Sequence, residues 1–180
     1  MPAPLFLLSG PPGSGKSTTA VALARCFSRA LHIPVDDLRG WVVSGIAHPV
    51  PWTDESGRQF GLARRAAVRT AGIYLEAGFA VIIDDVLFPW DPPILFRDEP
   101  DRIVHKILLL PAVEVALRRN AGRVNKDFDL SVLVATIERL HAEMAGLPYE
   151  EEGWIVVDNG SIGVEETVDT ILRRMELPEG

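Results

Sequence analysis

A single cysteine, Cys26, rules out a disulfide within the chain, and a reducing cytoplasmic setting is the expectation. Histidine is scarce: the four residues are scattered without metal-ligand spacing, so no zinc site is expected. Long apolar runs are missing as well. Leu5–Leu8 is far too short for a signal-peptide core or a membrane span, and no other stretch reaches membrane length without charges. There is no excess of positive charge. The 180 residues carry a net charge of −7, which disfavours a polyanionic partner such as nucleic acid. No repeat, low-complexity tract or linker divides the sequence, and its length suits one well-packed domain over residues 1–180.

What is present is alternation. Short apolar runs at Leu5–Ser9, "HIPV", "FAVIIDD", "IVHKILLL" and "WIVVD" read as strands. "FAVIIDD" is unbroken enough to imply cover on both faces, as in a parallel sheet. Between the strands lie helical segments: Lys16 to about Ala30, "DLRGWVVS", Asp54–Ala77, Val113–Ala121, about Leu130 to Ala145, and Val164–Met175. In Asp54–Ala77, Phe60, Ala63, Ala67, Ala71 and Leu75 form one stripe, and Gly78 closes the helix. Cys26, on an apolar stretch of the first helix, is expected in the core. The proline-rich spots at 48–52 and 89–93 read as surface loops. Strands alternating with helices predict an α/β fold, a three-layer sandwich with right-handed crossovers.

The stretch joining the first strand to the first helix, "GPPGSGKS" from Gly10 to Ser17, fits G-x-x-x-x-G-K-[ST] at every fixed position. Gly10, Gly13 and Gly15 let backbone N–H groups, Ser14's among them, turn inward around a phosphate, and the following helix points its positive end there. Lys16 is expected at the β- and γ-phosphates, Ser17 on Mg²⁺ and Thr18 at the α-phosphate. "VNKDFD" departs from the guanine-reading N-K-x-D, because Phe128 stands where the aspartate should be. ATP is therefore the expected nucleotide.

Carboxylates end two strands, on the side where open α/β sheets gather ligands. In "IIDD", Asp84 and Asp85 point in opposite directions. Asp84, nearer the strand proper, is the expected metal ligand, leaving Asp85 for the acceptor pocket or a cap. In "IPVDDL", Asp36 is expected to accept a proton from an acceptor hydroxyl, and Asp37 to cap the next helix. "LRRNAGR" supplies Arg118, Arg119 and Arg123 for a lid at about residues 118–130, with Arg119 and Arg123 on one helix face. An acceptor region is expected at about residues 36–66. There His48 and Trp52 could form a pocket wall or anchor a loop, and Arg58, Arg64 and Arg65 could bind an anionic acceptor or be solvated.

"GPPGSGKST", "VDDL", "IIDDV" and "LRRNAGR" together resemble the small P-loop kinases of the nucleoside-monophosphate-kinase-like fold, particularly gluconate kinase-like and chloramphenicol phosphotransferase-like proteins. The resemblance implies a parallel sheet of five strands in the order 2-3-1-4-5, a lid after the fourth strand, and adenine near "DNGSIG", where Asp158, Asn159 and Gly160 lie. It also implies Asp36 as the base. The function expected is an ATP- and Mg²⁺-dependent kinase, a monomer or homodimer, acting on a hydroxyl of a sugar, sugar acid or antibiotic-like molecule. The alternatives are a nucleoside, nucleotide or polynucleotide-end kinase and, from another class, an ATP-hydrolysing switch protein. "GWVVSGIAHPVPWTDESGRQFG" matches no substrate signature.

Overall fold

A computed structural model describes residues 3–121 and 130–175. At its centre lies β1 (Leu5–Ser9), whose five residues are all buried. A strand covered on both faces needs apolar side chains in both directions, which is why "LFLL" does not alternate with polar residues. β1 pairs in parallel with β3 (Ala80–Asp84) on one side and β4 (Val104–Leu109) on the other. β2 (Ala30–Pro34) and β5 (Ile155–Val157) complete the order β2-β3-β1-β4-β5, as the resemblance implied.

The pleat divides the core in two. Phe6, Leu8, Ile82, Ile107 and Leu109 face α1 (Lys16–Ala24) and α7 (Val164–Arg174), packing on Ala20, Leu23, Val168 and Ile171. Leu5, Leu7, Val81, Ile83 and Leu108 turn to the other face, where α3 (Asp54–Glu76) presents Ala63, Ala67 and Ala71. These alanines let α3 lie close over the sheet. Thr53 caps α3, its side chain accepting from the Ser56 backbone N–H in a reciprocal capping box.

Three boundaries depart from expectation. α1 stops at Ala24, because Ala30 is taken into β2 opposite Ala80. Cys26 therefore falls beyond α1 and is exposed, not core. α2 (Val35–Gly40) follows β2 directly, with Pro34 at its N-cap and no side-chain cap bond. Asp37 is thus not the cap; both Asp36 and Asp37 occupy the first turn, where their charges suit the helix dipole. The segment at 89–93 is not simply a loop. α4 (Asp91–Leu95) starts there, with proline in the first turn, where a missing N–H breaks no bond. α5 (Val113–Ala121) and α6 (Leu130–Ala145) match their expected bounds.

Tyr149, 2% exposed, ties these layers together at the upper edge of the sheet. Its hydroxyl donates to the Leu87 carbonyl at 2.8 Å, and Ser9 Oγ both donates to that carbonyl (2.9 Å) and accepts from the Leu87 N–H (2.8 Å). Burial pushes the phenol well above its ordinary pKa, so it stays a donor. Tyr149→Phe is expected to cost about 1 kcal/mol in urea unfolding, because the Leu87 carbonyl keeps only Ser9. An unchanged midpoint would show that the phenol bond adds nothing.

Candidate active site

The phosphate loop is held in shape by close backbone approaches. Gly10, Gly13 and Gly15 have φ of +149°, +84° and +98°. A Cβ on Gly13 would stand 2.2 Å from the Ala116 carbonyl oxygen, so the loop is wedged against α5 with no room for a side chain. Ser14 N–H donates to the Pro11 carbonyl at 3.1 Å, and Thr19 N–H to that of Gly15 at 2.9 Å, starting α1. Lys16 Nζ donates to the carbonyls of Gly10 (2.8 Å) and Pro11 (3.2 Å), which folds the ammonium back over the loop. Ser17 and Thr18 are exposed at the first turn of α1.

Arg119 and Asn159 converge on this loop from elements far apart in sequence. Arg119 Nη1 donates to the Ser14 carbonyl at 3.3 Å and its Nη2 to the Asn159 carbonyl at 2.8 Å. Asn159 Nδ2 donates to the same Ser14 carbonyl at 2.9 Å. Arg118, one position round α5, is exposed. Arg123 lies outside the described residues, as does most of the expected lid. Ser14 Oγ and Asn159 Oδ1 are buried without a hydrogen-bond partner, so an unpaired hydroxyl and an unpaired acceptor lie beneath the loop. Such orphaned groups fit a ligand bearing both phosphate oxygens and donors.

The two carboxylates after β3 take opposite sides. Asp84 shares a face with Ile82, toward α1, and its Oδ2 lies 2.6 Å from His32 Nε2 on β2. Asp85 turns toward α3, where Arg64 Nε donates to its Oδ2 at 2.6 Å and Val86 N–H to its Oδ1 at 2.7 Å. Burial pushes the Asp85 carboxyl up, while the Arg64 charge opposes the shift. Both oxygens accept, the pattern of an ionised carboxylate, and we assign it that state. Among the described residues no three His, Cys, Asp or Glu side chains group as a metal cage. A Mg²⁺ held by one carboxylate, one hydroxyl and its ligand's phosphates needs no such cage.

A cavity of about 680 Å³ opens beside the loop, bounded by Pro12, Asp36, Trp52, Phe60, Arg64, Asp85 and α6. The structure thus brings Asp36 and Asp85 to one space and sets Asp84 apart from it. The Asp36 side chain is 82% exposed, with Arg39 Nη1 3.9 Å away. Trp52 stacks on Phe60, with ring centres 5.3 Å apart. His48 offers its carbonyl to Ser56 Oγ at 2.7 Å, anchoring the loop before α3 to that helix. Arg58 pairs with Glu55 on the exposed side of α3, away from the cavity, and Arg65 is exposed.

Three arrangements escaped the sequence. His32 on Asp84 joins residues 52 apart, and Arg64 on Asp85 residues 21 apart. Gln59 clamps the loop before α3, accepting from Ala47 N–H (2.9 Å) and donating to the Gly45 carbonyl (2.8 Å). The one available signal for Arg64 was its place beside Ala63 on the buried stripe of α3.

No protein-family model matches this sequence, and no curated protein resembles it significantly. Solved structures do. An unliganded sugar kinase from a Janibacter species superposes with a TM-score of 0.70 at 20% identity, covering 99% of this chain and 97% of that one. The tunicamycin resistance protein of Deinococcus radiodurans gives 0.69 at 18% identity, over 98% and 97%. A gluconokinase from Sinorhizobium meliloti gives 0.63 at 21% identity, over 97% and 93%. The resemblance inferred from "GPPGSGKST" and its companion segments therefore holds along nearly the whole chain, and the protein has the fold of the small-molecule P-loop kinases.

Proposed function

We propose that this protein is an ATP- and Mg²⁺-dependent phosphotransferase that moves the γ-phosphoryl group to a hydroxyl of a small molecule. The observation that carries the reading is the cavity that runs from Pro12 of the phosphate loop to Asp36 within one chain. An ATP-driven switch needs no such acceptor space beside its phosphates. That the structural neighbours include a sugar kinase and a gluconokinase supports it.

In this reading the loop amides and Lys16 hold the triphosphate, with Ser14 Oγ free to donate to it and Thr18 nearby. Asn159 and Arg119 fix the loop through Ser14 and flank the nucleotide. Arg118 and Arg123 belong to the lid. Ser17 and Asp84 would hold Mg²⁺, which neutralises phosphate charge when bound. His32 orients the Asp84 carboxylate. Asp36, open to the cavity, accepts the proton as the acceptor oxygen forms its bond to phosphorus and the bond to the ADP oxygen breaks. The cavity walls exclude water that would otherwise take the phosphoryl group.

The test is ADP release by the purified protein with Mg²⁺-ATP across sugars, sugar acids, nucleosides and hydroxylated ring compounds. A rise that depends on one acceptor class is expected. Lys16→Ala is expected to lower that rate by about a hundredfold or more, since it removes a preorganised cation at the transferring group. Steady ATP turnover indifferent to every acceptor would sink the proposal.

A further inference from the structure

Among the described residues, Arg64 and Arg139, the cationic side chains that border the acceptor cavity, are already engaged, and so is the nearby Arg39. Arg64 uses each of its nitrogens: Nε on Asp85 at 2.6 Å, Nη2 on the Val86 carbonyl at 2.8 Å, and Nη1 3.8 Å from Asp91. Arg139, on α6, pairs with Glu143 at 3.4 Å, and both border the space. Arg39 lies flat over Phe60, 3.8 Å from the ring centre, with Nη2 on the Ala47 carbonyl at 2.6 Å. Among the described lining residues, Asp36, Asp85 and Glu143 outnumber Arg64 and Arg139. The rest of the wall is mostly apolar, including Val50, Trp52, Phe60, Phe88, Leu133 and Leu140.

These facts bear on what can enter. Among the described residues, an anionic group brought into this space loses its hydration, meets no uncommitted lining cation and faces a surplus of negative charge. An apolar ring loses little and gains the faces of Trp52 and Phe88. The volume suits a body larger than the reacting hydroxyl alone requires. We infer that the acceptor is an uncharged alcohol built on an apolar ring system, and not a sugar acid or a phosphorylated sugar. This rests on the kinase reading above for the reaction, but on the cavity alone for the chemistry of the ligand.

A matched pair of probes tests it: the methyl ester of para-(hydroxymethyl)benzoic acid, and the free acid, anionic at neutral pH. Both carry the same ring and the same hydroxyl. Calorimetric titration into the full chain, with a non-hydrolysable ATP analogue present, is expected to show the ester binding at least about tenfold tighter. Trp52→Ala, at a 60% exposed position, is expected to weaken the ester severalfold and leave the acid unchanged, with thermal unfolding of the variant confirming that it folds. Asp85→Asn releases Arg64 and should narrow or reverse the preference. Equal or tighter binding of the acid to the wild-type chain, or no binding of either probe at millimolar concentration, overturns the inference. Transfer from ATP is read separately. An ester that binds, with no alcohol ever phosphorylated, would defeat the kinase reading and leave the pocket chemistry standing. Preferred phosphorylation of a sugar acid would do the reverse.

Discussion

Asp36→Asn is expected to lower acceptor-dependent phosphoryl transfer by about 10²–10⁴-fold while leaving nucleotide affinity and fold intact. The substitution keeps the shape of the side chain and removes its capacity to take a proton. It should not disturb stability by more than about 0.5 kcal/mol, because the side chain is 82% exposed and its ion pair with Arg39 is long. A fall in rate alone is therefore the signature of a base. Steady-state transfer, nucleotide titration and thermal unfolding of the same preparation separate the three quantities. Retained activity would move the role to Asp85, which borders the same cavity. Asp85 is the weaker candidate on geometry, since both of its oxygens already accept from Arg64 and Val86.

Gly13→Ala should do more damage to the protein than its one added methyl suggests. At φ +84° an alanine is strained, and its Cβ would meet the Ala116 carbonyl oxygen at 2.2 Å. That atom belongs to the backbone of α5, so no side-chain rotation relieves the clash. Either the phosphate loop or α5 must shift, and α5 also carries Arg119. A loss of about 3 kcal/mol or more is expected, seen as a fall of roughly 6–12 °C in Tm, together with loss of measurable nucleotide binding. Gly72→Ala is the control. It lies within α3 with nothing near its would-be Cβ, and it should stabilise by up to about 1 kcal/mol. If Gly13→Ala bound nucleotide normally, the loop would not depend on its approach to α5.

What could be read in advance was what the chain encodes locally. The phosphate loop is contiguous, and its glycines, lysine and hydroxyls carry their meaning in their spacing. The buried strands announced themselves because β1 and β3 are covered on both faces. The stripe of Phe60, Ala63, Ala67 and Ala71 fixed the inward side of α3. What could not be read depends on chain segments meeting in space. Nothing near Arg64 in sequence says that Asp85 will occupy it, and neither reading of that arginine, solvated or anion-binding, foresaw the partner. The same holds for His32 and Asp84. Helix propensity carried α1 too far, because it cannot see that β3 claims Ala30 as a strand partner. α4 is a different case. Its proline in the first turn was a legible start signal, and the density of prolines obscured it.

The loop between α2 and α3 is held in an unusual way. Its backbone is held from outside itself, by Gln59 on Ala47 and Gly45, by Ser56 on His48 and by Arg39 on Ala47. Its own side chains at Trp41 and Val43 point largely into solvent, Val43 at 99% exposure. The loop's course and its outward side chains are therefore set by different residues. Selection can exchange the outward side chains while the helix behind them keeps the loop's course, so this surface can vary without refolding the core.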